Sequence, residues 1–342
     1  MTDTGYLLPL PIDFEDDPLP DASPIPVSPP ASIDIPDGVW PVMITPFRHD
    51  GAIDWSALDA LIEFYLDASS AGLFAVCQSS EMFDLDGGER IALAKHVVDR
   101  VAGRVPVVAS GTFGSDVAAL ADTTRRTADT GVDAVVCLTA SLAAEGEDEA
   151  TWQQRAERWL ARTGDIPLGL YECPKPYHRL LEADTLRWAA ATGRFLFLKE
   201  TSCRLPSIEA KIGAVSGTPV KFFNANAATL LASLEMGARG FSGISLNFVP
   251  ELWAWLCDHW QDYYATAARL QAFLAAAENV LSRHYPLSAK HFLALRGLPL
   301  TDVCRVSVDA LTPAAAQDLA TLARDAAAWR EELDIAQDTG RG

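Results

Sequence analysis

Residues 195–200 read FLFLKE, four apolar residues followed by a lysine and a glutamate. An unbroken apolar run is typical of a strand that is buried on both faces, as in a parallel sheet covered by helices. Similar runs occur on both sides of it, and their starts are about 20–35 residues apart. They are VWPVMIT (39–45), LFAVCQ (73–78), VPVVAS (105–110), DAVVCL (133–138), PLGLYE (167–172), VKFFNA (220–225) and RGFSGI (239–244).

The segments between these runs have the composition of amphipathic helices. Asp54 and Ser115 are candidate N-caps, and Gly72, Gly131 and Gly237 are candidate helix ends. Eight strand–helix units predict a (β/α)8 TIM barrel over residues 39–261. A doubly wound open sheet is the alternative, but no GxGxxG follows the first run. The predicted helices are 54–70, 89–102, 115–130, 149–162, 182–192, 206–215, 226–236 and 250–261.

Two further regions flank the predicted barrel. Residues 262–342 form a C-terminal helical region with a break at 297–313. Residues 1–38 hold nine of the 21 prolines and no Lys or Arg, which predicts a Pro-rich acidic arm. Two interpretations stay open at this point: a disordered or extended arm, and an arm laid over a neighbouring subunit or a barrel end.

The composition excludes several classes of partner. The formal net charge is −19, which argues against nucleic acid and anionic membranes, since both bind through cations. No apolar run has the length of a membrane span, and no signal peptide is visible, so we expect a cytoplasmic protein. The six cysteines form no CxxC pair, and no cysteine–histidine spacing indicates a metal site.

Polar residues follow the predicted strands, where a TIM barrel places its active site. Lys199 is the sharpest candidate, because burial disfavours its ammonium form and a neutral amine can form an imine with a ketone. Tyr171 ends the preceding strand and is a candidate acid/base. The alternatives are a strand-closing lysine paired with a carboxylate and a tyrosine that covers the barrel core. The candidates for substrate binding are Thr45, Gln78, Ser79, Ser80, Asn224, Ser242 and Gly243.

Several segments together resemble the dihydrodipicolinate synthase / N-acetylneuraminate lyase superfamily over residues 38–300. They are TPFRHDGAID (45–54), LYECP (170–174), FLKE (197–200) and GARGFSGISLNFVPEL (237–252). The resemblance implies a TIM barrel in which Lys199 forms a Schiff base and Tyr171 assists it. It also implies a homo-oligomer that uses a small 2-oxo acid and an aldehyde, without a cofactor.

The chain departs from the family pattern around the second substrate. CQSSE (77–81) stands where the family has GTTGE, and ASL (140–142) stands where the synthases have PYY. Ser79 and Ser80 still offer hydroxyl and N–H groups to a carboxylate, although a plain loop is the alternative. The synthases' arginine aligns with Pro176, and Lys175 or Arg179 are the candidate substitutes.

These departures predict that the imine half of the site is retained and that the acceptor half is rebuilt, so lysine biosynthesis is not expected. The function predicted is a Schiff-base lyase or aldolase that acts on pyruvate or a similar 2-oxo acid through Lys199. The alternatives are a 2-keto-3-deoxy sugar acid dehydratase that uses the same imine and a non-catalytic metabolite-binding barrel.

Overall fold

The computed structural model describes residues 33–335. Most of the predicted N-terminal arm, 1–38, therefore lies outside the described residues. The limits of the three predicted regions stay predictions.

Eight parallel strands form one sheet with the order β1-β8-β7-β6-β5-β4-β3-β2. The two ends of this order meet where Val42 bridges Phe74 in parallel, and that bridge closes the barrel. The first run contributes a short strand, because Pro41 has no N–H for the ladder. The predicted (β/α)8 barrel is thus confirmed. The strands are β1 Gly38–Val39, β2 Leu73–Phe74, β3 Val107–Ser110, β4 Ala134–Leu138, β5 Leu168–Tyr171, β6 Phe195–Glu200, β7 Lys221–Asn224 and β8 Gly240–Phe241.

A helix follows each strand, close to the predicted position. Asp54 caps the first helix as predicted, by accepting a hydrogen bond from the backbone N–H of Ala57. The prediction of Ser115 as an N-cap is wrong, because the Asp116 carboxylate accepts from Ala119 instead. The helices are α1 Trp55–Asp67, α2 Gly87–Val101, α3 Val117–Ala128, α4 Glu149–Arg162, α5 Ala183–Ala191, α6 Leu205–Val215, α7 Leu230–Met236 and α8 Pro250–His259.

Aromatic rings fill the inside of the barrel. Phe197 packs against Trp40 and Phe223, with ring centroids 5.2 and 4.9 Å away, and makes an edge contact with Phe74. On β5, Gly169 allows the close approach of β6, since a Cβ there would lie 3.1 Å from the Cβ of Phe197. Side chains alternate between the two faces of a strand, so the residue two positions after Phe197 also points inward.

The predicted C-terminal helical region is confirmed, with helices α9 Tyr264–Leu281, α10 Leu287–Leu295 and α11 Pro313–Glu332. Buried Lys290 joins it to the barrel by an ion pair with Glu81, 2.7 Å long. Glu81 also accepts hydrogen bonds from the backbone N–H groups of Arg305 and Val306. Within residues 33–335, no helix is long and apolar enough to cross a membrane.

Candidate active site

A cavity of about 410 Å³ opens at the carboxyl ends of the strands. This is the end of a TIM barrel that carries the active site in known enzymes. The loops after the strands and the C-terminal helical region share its walls. Among the residues that line it are Gln78, Ser79, Phe83, Tyr171, Lys175, Lys199, Asn226, Glu278 and Tyr285.

Lys199 lies at the bottom of this cavity. It follows Phe197 by two positions on β6, so its side chain rises from the aromatic floor and is only 3% exposed. Its Nζ donates a hydrogen bond to the carbonyl of Ser242. Burial lowers the pKa of Lys199 to about 8, because desolvation disfavours the ammonium form. A substantial fraction of the amine is therefore neutral near physiological pH, as a nucleophile requires.

Tyr171 lies beside Lys199. The two are register partners on β5 and β6, and Nζ lies 5.2 Å from the centre of the phenol ring. The ring also meets Phe74 edge-on, which fixes its orientation. Burial raises the pKa of Tyr171 well above its ordinary value, so the phenol keeps its proton and acts first as a hydrogen-bond donor.

Two of the predicted substrate-binding residues, Gln78 and Ser79, line the cavity. The Cys173 thiol donates to the side-chain carbonyl of Gln78 over 3.3 Å, which holds the amide in place. The backbone N–H groups of Ser80 and Glu81 are already bonded to the carbonyls of Cys77 and Gln78. The predicted carboxylate-binding turn is therefore reduced mainly to Ser79.

Five predicted substrate-binding residues do not line the cavity: Thr45, Ser80, Asn224, Ser242 and Gly243. Thr45 donates to the carbonyl of Ser80, and the Ser80 hydroxyl bonds to both backbone groups of Cys77.

The other three, Asn224, Ser242 and Gly243, also have structural roles. Asn224 donates to Thr229 and Ser233, and the Ser242 hydroxyl donates to the carbonyl of Trp40. Gly243 has no space for a side chain, since a Cβ would lie 2.2 Å from the ring of Phe241. Ser242 still contributes its carbonyl, which accepts the hydrogen bond from the candidate nucleophile.

The two candidate substitutes for the synthases' arginine differ in position. Lys175 is exposed and lines the cavity. Arg179 is turned away and donates to Glu149 and to the carbonyls of Glu147 and Asp148. Lys175 is therefore the better candidate of the two for binding an anionic acceptor.

Glu278, at the end of α9, and Tyr285, just after it, also line the cavity and are not among the residues predicted from the sequence. Asn247 donates to the Tyr285 hydroxyl over 2.8 Å, and Ser79 is also hydrogen-bonded to it. Burial raises the pKa of Tyr285 well above its ordinary value. Glu278 is the single acidic residue of α9, which was the one available signal in the sequence.

A buried ion cluster lies directly behind the two central residues. Glu172 and Glu200 follow Tyr171 and Lys199 by one position, so their side chains point away from the barrel interior. Lys211 on α6 donates to Glu172 over 2.6 and 2.8 Å and to Glu200 over 3.1 Å, with all three side chains buried. Burial raises the pKa of Glu172 to about 7 even though Lys211 opposes the shift. The Lys211 ammonium group thus links the ends of β5 and β6.

Replacement of Lys211 by methionine is expected to reduce the free energy of unfolding by about 3–5 kcal/mol, because two buried carboxyl groups lose their counter-ion. Urea unfolding followed by circular dichroism measures this loss. The loss should be smaller at pH 5, where a protonated Glu172 needs no counter-ion. Lys95→Met is the control, since the Lys95–Asp99 pair is exposed and should contribute no more than about 1 kcal/mol. A change below about 1 kcal/mol for Lys211→Met would contradict the stabilising role.

No group of three or more His, Cys, Asp or Glu side chains in residues 33–335 is arranged to hold a metal ion. The side chains that line the cavity instead include amines, phenols, carboxyl groups and hydroxyls. They are suited to nucleophilic and acid/base chemistry on a small polar substrate.

Comparisons with known proteins agree with this geometry. The model of the dihydrodipicolinate synthetase family matches residues 36–326. The 4-hydroxy-tetrahydrodipicolinate synthase of Ectopseudomonas mendocina is 28% identical over 258 residues, which cover 75% of this chain and 84% of that protein. The enzyme of the same name from Bacillus subtilis is 27% identical over 266 residues, 76% of this chain and 89% of that protein.

A solved structure shows the same fold. The dihydrodipicolinate synthase of Acinetobacter baumannii, crystallised in complex with pyruvate, superposes with a TM-score of 0.77 at 22% identity. The match covers 86% of this chain and 99% of that chain. Because the family model matches most of the sequence, the predicted resemblance is confirmed. The chain belongs to the dihydrodipicolinate synthetase family.

Proposed function

We propose that this protein is a class I lyase or aldolase that forms an imine between Lys199 and a small 2-oxo acid such as pyruvate. The iminium then withdraws electrons while the adjacent C–C bond is made or broken. The observation that carries the proposal is the position of Lys199, a buried amine beside Tyr171 at the bottom of the cavity. Family membership supports the same enzyme class.

The binding of the donor follows from the cavity wall. Ser79 and Tyr285, whose side chains are hydrogen-bonded to each other, offer their hydroxyl groups to the carboxylate of the 2-oxo acid. Tyr171 gives its proton to the developing carbinolamine oxygen and recovers one from the attacking nitrogen. It then protonates the hydroxyl group as this leaves as water. Neutral hydroxyl donors are sufficient to bind the substrate carboxylate, because a hydrogen bond to a carboxylate is stronger than one between neutral groups.

The second substrate is proposed to be an aldehyde different from that of the named synthases. Pro176 stands where the synthases have their arginine. Arg179 is already hydrogen-bonded to Glu149 of α4 and to the carbonyl of Glu147 in the segment before that helix. The exposed side chain of Phe83 and the lysine of the rim, Lys175, are the groups that face an acceptor. A homo-oligomer is proposed from the family resemblance.

Reductive trapping tests the proposal directly. The protein is incubated with pyruvate and sodium borohydride, and then the intact mass and a peptide map are measured. A single adduct of the mass of reduced pyruvate on Lys199 is expected, because the buried lysine is the one beside the phenol donor. Absence of an adduct with pyruvate, 2-oxobutyrate and a keto-deoxy sugar acid would overturn the proposal and favour a non-catalytic barrel.

The rate of trapping should depend on pH in a defined direction. Only the neutral amine attacks the ketone, and the pKa of Lys199 is lowered to about 8. The initial rate is therefore expected to rise about tenfold per pH unit below pH 8 and to level off above it. A rate that keeps rising to pH 10 would show that the reacting amine has the pKa of an ordinary surface lysine.

A further inference from the structure

Three carboxyl groups line the cavity, and they differ in their bonding partners and in their exposure to solvent. Glu81 is bound by Lys290 and by two backbone N–H groups, so it is part of the fold. Asp84 is exposed to solvent at the rim. Glu278 is half-buried and shares the cavity with the nucleophilic lysine, which makes it the carboxyl group best placed for chemistry.

The surroundings of Glu278 fix its position and its protonation. It lies in the last turn of α9, and the hydroxyl of Ser245 donates to its Oε2 over 2.8 Å. Burial raises its pKa, while Lys199 and the backbone of Ala227 oppose the shift. The charge of Glu278 in turn acts to raise the pKa of Lys199, and both residues line the same cavity.

The proposed reaction needs proton transfers at two places. One set occurs at C2 and the imine nitrogen, where Tyr171 lies beside Lys199. The other set occurs at C3, which must lose a proton to give the enamine, and at the oxygen of the acceptor, which must gain one. A phenol with a raised pKa is a poor base for a carbon acid, whereas a carboxylate whose pKa is moved toward neutrality is a suitable one.

We propose that Glu278 is a second acid/base of the site and moves the proton between C3 of the donor and the oxygen of the acceptor. This inference rests on the proposed function. The carboxylate takes a proton from C3 of the iminium, the C–H electrons form the C2–C3 double bond of the enamine, and the C=N π electrons move to the nitrogen. When C3 attacks the aldehyde carbon, the carbonyl π electrons move to the aldehyde oxygen. That oxygen takes the same proton from Glu278, and the iminium is restored for hydrolysis.

The proposal can be tested without knowing the acceptor. Pyruvate is incubated with the protein in D2O, and proton NMR follows the loss of the C3 methyl signal above the rate in buffer alone. Glu278→Gln keeps the size of the side chain and its bond to Ser245 but removes the base. The exchange rate is expected to fall on the order of 10²-fold or more, while borohydride trapping on Lys199 reaches the wild-type level. Glu278→Asp, which keeps a carboxylate, should recover part of the exchange.

The outcomes separate this inference from the proposed function. Wild-type exchange in Glu278→Gln, with trapping intact, would exclude Glu278 as the base and leave the imine mechanism standing. Loss of trapping in Glu278→Gln would also overturn the inference, since the glutamate would then act on imine formation itself. Failure of the wild-type protein to form any adduct would refute the proposed function. Glu157→Gln, an exposed position on α4, is the matched control and should exchange at the wild-type rate.

Discussion

Replacement of Lys199 by arginine is expected to abolish both the borohydride-trapped adduct and turnover, by on the order of 10³-fold or more. Arginine stays protonated in proteins and has no lone pair to offer to a ketone. The loss follows because the imine is the group that draws electrons from the reacting bond. Intact-mass analysis after reduction and a pyruvate exchange assay in D2O measure the two effects independently.

Arginine also places a permanent charge in a buried position, so a folding control is needed. Lys199→Met keeps the unbranched stem without the charge, and it should fold with an unchanged circular dichroism spectrum and give no adduct. Lys95→Arg, at an exposed ion pair, should behave like the wild-type protein. Full adduct formation in either Lys199 variant would show that another amine reacts.

Tyr171→Phe is expected to lower the rate of imine formation and of turnover on the order of 10²-fold or more, the loss expected for a positioned acid/base. The substitution removes one oxygen and leaves the ring in contact with Phe74. Folding should therefore be retained. The final amount of trapped adduct should approach the wild-type level, because the phenol changes the rate at which the imine forms and not the amine that forms it.

The comparison for this experiment is Tyr263→Phe, since Tyr263 is 57% exposed and outside the cavity. Stopped-flow or quenched trapping over a series of times gives the rate constant for both variants. Equal rates for Tyr171→Phe and the wild-type protein would remove this phenol from the chemistry and would leave it as a part of the barrel core.

The barrel was predictable because its signals are local. An apolar run such as FLFLKE indicates a doubly buried strand without knowledge of any partner, and eight such runs with helices between them leave few topologies. The errors came from details that one residue decides. Whether Ser115 or its neighbour Asp116 caps α3 depends on backbone geometry that composition does not specify, and Pro41 shortened the first strand.

The central residues of the candidate site could be predicted from the sequence, whereas most residues of the cavity wall could not. Lys199 and Tyr171 could be found because they end neighbouring strands and alternation directs both inward. The strand-end position alone could not show that the side chains of Thr45, Asn224 and Ser242 are already hydrogen-bonded within the fold. Thr45 and Ser242 donate to backbone carbonyls, and Asn224 donates to the hydroxyl of Thr229. Glu278 lies in α9, beyond the eight strand–helix units, so only the folded chain brings it to the cavity.

The walls supplied by α9 and the segment after it also set an order of events during synthesis. A ribosome releases the barrel strands first, and domains fold as the chain emerges. Lys199 is then present while Glu278, Tyr285 and Val306 are still inside the ribosome or unattached. At that stage the cavity around Lys199 lacks the part of its wall that these residues supply. The wall is completed only when Glu81 has bound Lys290 and the backbone of Arg305 and Val306, so the finished cavity forms late in translation.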